Sequence, residues 1–285
     1  MLSLFHHGFV QNAFLAGTLV AVLSALIGYF VVLRAESFAG DALSHIGFSG
    51  ATGAALVGAS SLVGMLLFTL LGAIGMGSLG KRLRGRDVET GMLLAFVLGL
   101  GVLFLSLYTG TATKAVSVLF GSILSVSLSD VYVTLAGSLV AITALAILFR
   151  PLLFASIDPE VAEARGVPVR WLSILFLVLL AVTASEAIQV VGVLLAFALP
   201  VVPSAAAEHM TNRPGLAILL AVLISLLSTW GGLVLGFVGH WPVSFYIVSL
   251  TSVSYFISLA VGALRYPRRY REPPHPTQEV LPPAR

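Results

Sequence analysis

The chain has no cysteine, and only 9% of its 285 residues are charged, where an ordinary soluble domain carries about a quarter. Without cysteine there is no disulfide framework, no thiolate metal site and no cysteine nucleophile. With so little charge, a soluble globular enzyme, a disordered tail protein and a nucleic-acid binder are excluded. No P-loop motif occurs anywhere, so the chain holds no nucleotide through that motif. What fills the sequence instead is apolar: 58% of residues, with a mean hydropathy of +1.05. Backbone groups in lipid are satisfied only inside helices or closed barrels. The expected fold is therefore an all-α, polytopic transmembrane helical bundle.

A membrane span needs roughly 20 mostly apolar residues. Runs of that kind cover 12–33, 41–59, 61–80, 89–108, 130–149, 171–188, 190–209, 214–236 and 243–264. That predicts nine spans, or eight if two neighbours merge. The apolar stretch 115–128 is too short and carries Gly121 and four serines, so a re-entrant or interfacial helix is expected there. Met1–Gln11 lacks Lys and Arg, and the first apolar run is long enough to span, so no separate signal peptide is expected. Residues 1–266 form the transmembrane domain, and the Pro-rich 267–285 a disordered tail.

The pI of 9.4 reflects a net charge of only +3, and the basic residues sit between spans. Arg34, Lys81, Arg82, Arg84, Arg86, Arg150, Arg165, Arg170, Arg213, Arg265, Arg268, Arg269, Arg271 and Arg285 fall on one side, and Lys114 alone on the other. Cytoplasmic loops carry the excess of Lys and Arg. The pattern predicts an outside N-terminus and a cytoplasmic C-terminus.

Ionisable groups at membrane depth are expensive and so mark function. Asp41 and His45 lie at i and i+4 on one helix face, about 6 Å apart along the axis. A carboxylate beside an imidazole can chelate one divalent cation; a local cap and hydrogen bond is the plainer reading. Around them, Gly47, Ala51, Ala55 and Ala59 form one small-residue row and Gly50, Ala54 and Gly58 another, which suits a closely packed helix. Glu186, Gln189 and His240, with His6 and His7, supply polar groups on the outer side and are expected to line the entry or meet a receptor there; Glu186 and Gln189 also read as a solvated turn. Glu208 and His209 end the seventh span, where snorkelling explains them. Gly47-Phe48-Ser49-Gly50 matches the GxSG pattern of rhomboid proteases, but His45 on the same helix is no independently placed base for Ser49.

In the loop 150–170, Asp158-Pro159 is a helix-start signal, with Asp capping free N–H groups and Pro suited to the first turn. Glu160 and Glu163 complement the helix dipole and Gly166 can end the helix. About two turns are expected, too short to be stable alone in water.

Several segments together resemble the ABC-3 family, the membrane permeases of bacterial zinc, manganese and iron ABC importers. They are Gln11-Asn12-Ala13, Val31-Val32-Leu33-Arg34, Gly40-Asp41-Ala42-Leu43-Ser44-His45, Phe120-Gly121-Ser122-Ile123-Leu124 followed by Asp130, Asp158-Pro159-Glu160-Val161-Ala162 with Ala164-Arg165-Gly166, and Val190-Val191-Gly192-Val193-Leu194-Leu195 running to Pro203. They follow family order across residues 9–264. Ser204, Glu208-His209-Met210 and His240-Trp241-Pro242 depart from the family pattern.

The resemblance implies a permease subunit of the bacterial inner membrane, without ATPase activity or a permanently bound cofactor. It implies a C2 homodimer that receives Zn, Mn or Fe from an extracytoplasmic lipoprotein and is driven by a cytosolic ATPase dimer. Asp41 and His45 would be associated with the metal. Asp158, Pro159, Glu160, Ala162, Ala164, Arg165 and Gly166 would form the ATPase-coupling loop, with Val161, Ala162 and Ala164 as docking contacts. One Asp–His pair is short of the four ligands that zinc takes, so two pairs meeting near a dimer axis are expected to share the site. The alternatives are an ion-coupled secondary carrier using Asp41, Glu186 and Glu208, which inverted repeats would favour, and a cobalamin- or siderophore-type permease.

Overall fold

A computed structural model describes residues 8–79, 87–107, 121, 123–239 and 241–265. The described residues form ten α-helices and no strand. They are α1 (Gly8–Leu33), α2 (Ser37–Leu56), α3 (Ser61–Leu79), α4 (Asp87–Leu107), α5 (Leu128–Ile157), α6 (Pro159–Ala164), α7 (Val169–Val191), α8 (Val193–Met210), α9 (Pro214–Val238) and α10 (Val243–Arg265). A 3-10 turn at Ile123–Ser125 precedes α5. Nine of the ten stand where nine spans were expected. Seven of those nine are long and apolar enough to cross a membrane; the other two are α2, which carries Asp41 and His45, and α8, which carries Pro200, Pro203 and Glu208.

The helices alternate in direction. The α1–α2 turn, α6 and the end of α8 lie at one end of the bundle, here the α6 end, and the α7–α8 turn lies towards the other. Helices α1 and α7 are the buried centre, with 67% and 72% of their apolar windows inside the protein. Phe30 of α1, Leu43 and Ile46 of α2, and Phe176, Leu177 and Leu180 of α7 meet in one core. A second core nearer the other end joins Ala13, Ala16 and Val20 to Ile188, Val191, Leu195 and Leu199. Helix α4 is the most lipid-like, with Met92, Phe96 and Val102 exposed.

Small residues set how close the helices come. A Cβ on Gly50 of α2 would fall 2.8 Å from the carbonyl carbon of Gly64 in α3, and one on Gly64 would fall 3.0 Å from that of Gly50. A side chain on Gly28 of α1 would meet the Pro200 carbonyl carbon at 2.6 Å. Beside it, Ser204 Oγ donates to the Ala25 carbonyl at 3.4 Å, so this departure from the family pattern adds an interhelical bond between α8 and α1.

Two differences from the sequence reading have clear causes. Helix α5 continues through Arg150 and Pro151 to Ile157, so the inter-span loop is shorter than 150–170. Proline reads as a breaker, but spans tolerate it because neighbours re-satisfy the freed backbone groups. The expected helix over 115–128 falls largely outside the described residues; its described end is the short 3-10 turn. Gly121 lies against the Val191 carbonyl and Gly192 N at the α7–α8 turn, and both glycines adopt positive φ, +73° and +89°. Only glycine takes that conformation freely, and no Cβ fits between the two.

Overpacking a tight contact costs about 1–3 kcal/mol. Gly50→Ala is expected to lower the thermal midpoint of the detergent-solubilised protein by several degrees. Gly99→Ala, whose Cβ would meet nothing within 4 Å, is expected to leave the midpoint unchanged. A differential scanning measurement on both variants checks the pair.

Candidate metal site and coupling surface

Helix α2 begins after a three-residue turn, Arg34 to Glu36, in which Ala35 takes φ +55°. Its second turn presents Asp41 and its third His45, with His45 Nε2 3.6 Å from Asp41 Oδ1. Their side chains are 35% and 34% exposed, so this face of α2 is half open while the others are covered. Gly47 lies against Ile188 and 3.3 Å from Thr69 by its would-be Cβ, and Gly50 lies on α3. One turn beyond His45, the open row closes: Gly101 of α4 packs on Ser49, which is fully buried. Ser49 Oγ donates to the His45 carbonyl at 3.5 Å. A serine spent on its own helix and sealed from solvent is no nucleophile, which disposes of the protease pattern.

The pair supplies one carboxylate and one imidazole. Among the described residues no group of three or more His, Cys, Asp or Glu converges. A single protomer therefore offers two ligands on an open face rather than a closed cage. A cation held there keeps most of its coordination sphere for water or for groups from another chain.

At the α6 end, Asp158 caps α6 by accepting from Val161 N at 3.0 Å, Pro159 occupies the first turn, and Gly166 at φ +83° ends the segment, as its residues predict. The helix has six residues. Glu160, Val161, Glu163, Ala164 and Arg165 face solvent, Val161 at 44%. Ala162 does not: it is fully buried against Ala155, Val169 and Leu172. The expectation of Ala162 as a docking contact is corrected, because in so short a helix one side must anchor it to α5 and α7.

In the sequence Arg34 stands as a topology signal and as the end of one family-like segment, with no role of its own. The structure buries it, 4% exposed, with Glu36 at 8%, as an ion pair of 3.2 Å. Its guanidinium donates to Ser156 Oγ at 3.4 Å, at the end of α5, and to Ser173 Oγ at 2.5 Å, at the start of α7. It also stands 5.2 Å over the Phe176 ring. One side chain thus ties the turn that begins α2 to both helices that carry α6. An Arg followed two residues later by Glu in an inter-span turn was the available signal.

Of the polar groups assigned to the outer side, Glu186 is not a solvated turn residue. It is 5% exposed and its Oε2 accepts from Ser138 Oγ of α5 at 2.7 Å. It lies inside because α5 packs over it, with Gly137 against its Oε1 and Ser138 on its Oε2. Gln189 is partly buried and donates to Asp130 Oδ1 at 3.2 Å. His6, His7 and His240 lie outside the described residues. His209 packs its ring edge-on to Tyr255 at 5.5 Å.

The family model described as the ABC 3 transport family matches residues 6–262. A manganese transport system membrane protein, MntC, of Halalkalibacterium halodurans is 32% identical over 231 residues, covering 81% of this chain and 79% of that protein. The high-affinity zinc uptake system membrane protein ZnuB of Haemophilus influenzae is 27% identical, covering 78% and 86%. Among solved structures, PsaBC from Streptococcus pneumoniae in complex with Fab superposes with a TM-score of 0.81 at 28% identity, covering 90% of this chain and 95% of that one.

Removing one partner of a buried ion pair costs about 3–5 kcal/mol, because the other charge is left behind. Arg34→Ala is expected to lower the thermal midpoint more than the double variant Arg34→Ala/Glu36→Ala does. Equal losses in both, measured by thermal unfolding in detergent, would show that the pair is not coupled.

Proposed function

As the chain belongs to the ABC 3 transport family, we propose that it is the membrane permease subunit of an importer for a divalent transition metal, manganese or zinc first among them. The single observation that carries this reading is the Asp41–His45 pair: two metal-competent ligands, side by side on a half-open face of an otherwise closely packed span. Relatives named for manganese and for zinc support both metals. The donor pair supports both as well, since imidazole suits zinc and carboxylate suits manganese; iron, which such a pair also takes, is the third candidate.

In this reading the two ligands of one protomer are completed by those of a second copy about a two-fold axis, giving two carboxylates and two imidazoles. Energy comes from a separate ATPase, which meets the permease at α6. The docking surface is Val161, Ala164 and Arg165 with the two glutamates, and Ala162 is its internal anchor. The α6 end is cytoplasmic, which places the N-terminus outside and the C-terminus inside. That orientation is supported by Arg34, Arg150, Arg165, Arg170 and Arg213 at the α6 end. An extracytoplasmic binding protein delivers the metal at the opposite end. Arg34 gives the arrangement its mechanical sense: movement imposed on α6 reaches the α1–α2 turn, and so Asp41, through one buried guanidinium.

Two separations test the reading. Asp41→Ala or His45→Ala is expected to reduce metal uptake at least about tenfold while the ATPase still co-purifies. Ala164→Trp, at an exposed position, is expected to abolish ATPase co-purification while the thermal midpoint stays unchanged. Wild-type uptake by either ligand variant would remove the pair from the pathway, and ATPase retained by Ala164→Trp would move the contact elsewhere.

A further inference from the structure

Glu186 is a carboxylate carried into the apolar layer on α7, and the transport reading above gives it no task. Its described partner is the Ser138 hydroxyl. No ion pair is found for Glu186 among the described residues. The helix opposite is shaped to receive it: Gly137 of α5 lies directly against Glu186 Oε1, where any Cβ would collide.

A second observation points the same way. Thr134 is 1% exposed, and its hydroxyl has no partner among the described residues. It stands one turn before Ser138 and one turn after Asp130. Both of those neighbours reach α7, Ser138 to Glu186 and Asp130 to Gln189. Thr134, between them on the same row of α5, therefore faces the same seam. Threonine in a span ordinarily returns its hydroxyl to its own helix, as Thr183 does to the Leu179 carbonyl at 2.9 Å. Thr134 does not.

One end of the seam also meets exposed polar residues. Its end away from α6 is the capping box of α5, in which Ser127 Oγ accepts from Asp130 N at 3.2 Å and Asp130 Oδ2 accepts from Ser127 N at 3.0 Å. Ser127 and Ser129 are exposed there, Asp130 half-buried, and Gln189 stands between Asp130 and Glu186. Asp130, Gln189, Thr134 and Ser138 thus place polar side chains on the turns between the exposed end and the buried carboxylate.

We propose that Glu186, Ser138 and Thr134 form a second cation station, in the seam between α5 and α7, that takes a hard divalent cation such as Mn²⁺ through oxygen donors alone. Carboxylate and hydroxyl oxygens suit Mn²⁺, and the site lacks the nitrogen and sulfur donors common in zinc sites. The station is separate from the Asp41–His45 pair; only its place on a transport path rests on the reading above. Asp130 gathers the cation at the surface end, and Glu186 supplies the negative charge that makes its desolvation tolerable.

The test is equilibrium binding of Mn²⁺ to the purified full-length protein, read by electron paramagnetic resonance, in a background of Asp41→Ala/His45→Ala. One Mn²⁺ per protomer is expected to remain, and to be lost on adding Glu186→Gln. Thr134→Val, which keeps the shape and the carboxylate, is expected to weaken that binding about tenfold and covers the case in which Glu186→Gln does not fold. No Mn²⁺ in the background variant, or undiminished Mn²⁺ after Glu186→Gln, overturns the station: the carboxyl is then a neutral group packed on α5. These outcomes are independent of the transport reading, which fails instead if Asp41→Ala/His45→Ala takes up metal as the wild type does.

Discussion

Water is absent from the apolar layer, so every polar group that enters it has to be satisfied by the chain itself. Most of the hydroxyls here obey that constraint locally. Ser44 returns to the Gly40 carbonyl at 3.0 Å, Thr69 to Met65 at 2.8 Å and Ser185 to Ala181 at 2.9 Å, while Ser185 and Thr69 also join α7 to α3 at 2.8 Å. Glycine and alanine rows then let the backbones close on one another. Against that background the exceptions stand out. Asp41 and His45 are half open on a span, and Glu186 is buried with one hydroxyl for company. Each is costly in lipid, and each is where the bundle departs from mere packing.

The two functional ends are physically joined. Arg34 sits seven residues before Asp41, in the turn that starts α2, and its guanidinium reaches Glu36, Ser156, Ser173 and Phe176. Ser156 belongs to the last residues of α5, and Ser173 and Phe176 to the first turns of α7, which between them hold α6. A motor pressing on α6 would therefore act on the helix bearing the metal pair without needing a long chain of intermediates. The half-open face of α2 and the anchored α6 are the two surfaces that the proposed importer would use for its other chains.

Much of this was legible in the sequence, for identifiable reasons. Long apolar runs locate spans because lipid permits little else, and Asp158-Pro159 with Gly166 sets the limits of α6 because capping is local chemistry. The face shared by Asp41 and His45 follows from helical geometry alone. What was not legible is tertiary. Glu186 looks like a turn residue until Gly137 and Ser138 of α5 are seen to cover it. Ala162 looks like a docking contact until α5 and α7 are seen beneath it. Arg34 counts as a topology signal until its partners arrive from more than a hundred residues away. Pro151 looks like the end of a span, although α5 runs through it. The meeting of Gly121 with Gly192 joins two sequence segments whose family resemblance was plain but whose contact was not.

The central claim is that this chain moves a transition metal only when an ATPase drives it. Accumulation of Mn²⁺ and Zn²⁺ in proteoliposomes, with and without the cytosolic ATPase, tests that claim most directly. The account predicts accumulation that requires both the ATPase and ATP and does not respond to an imposed proton or sodium gradient. Gradient-driven accumulation by the chain alone would contradict it and make the protein a secondary carrier.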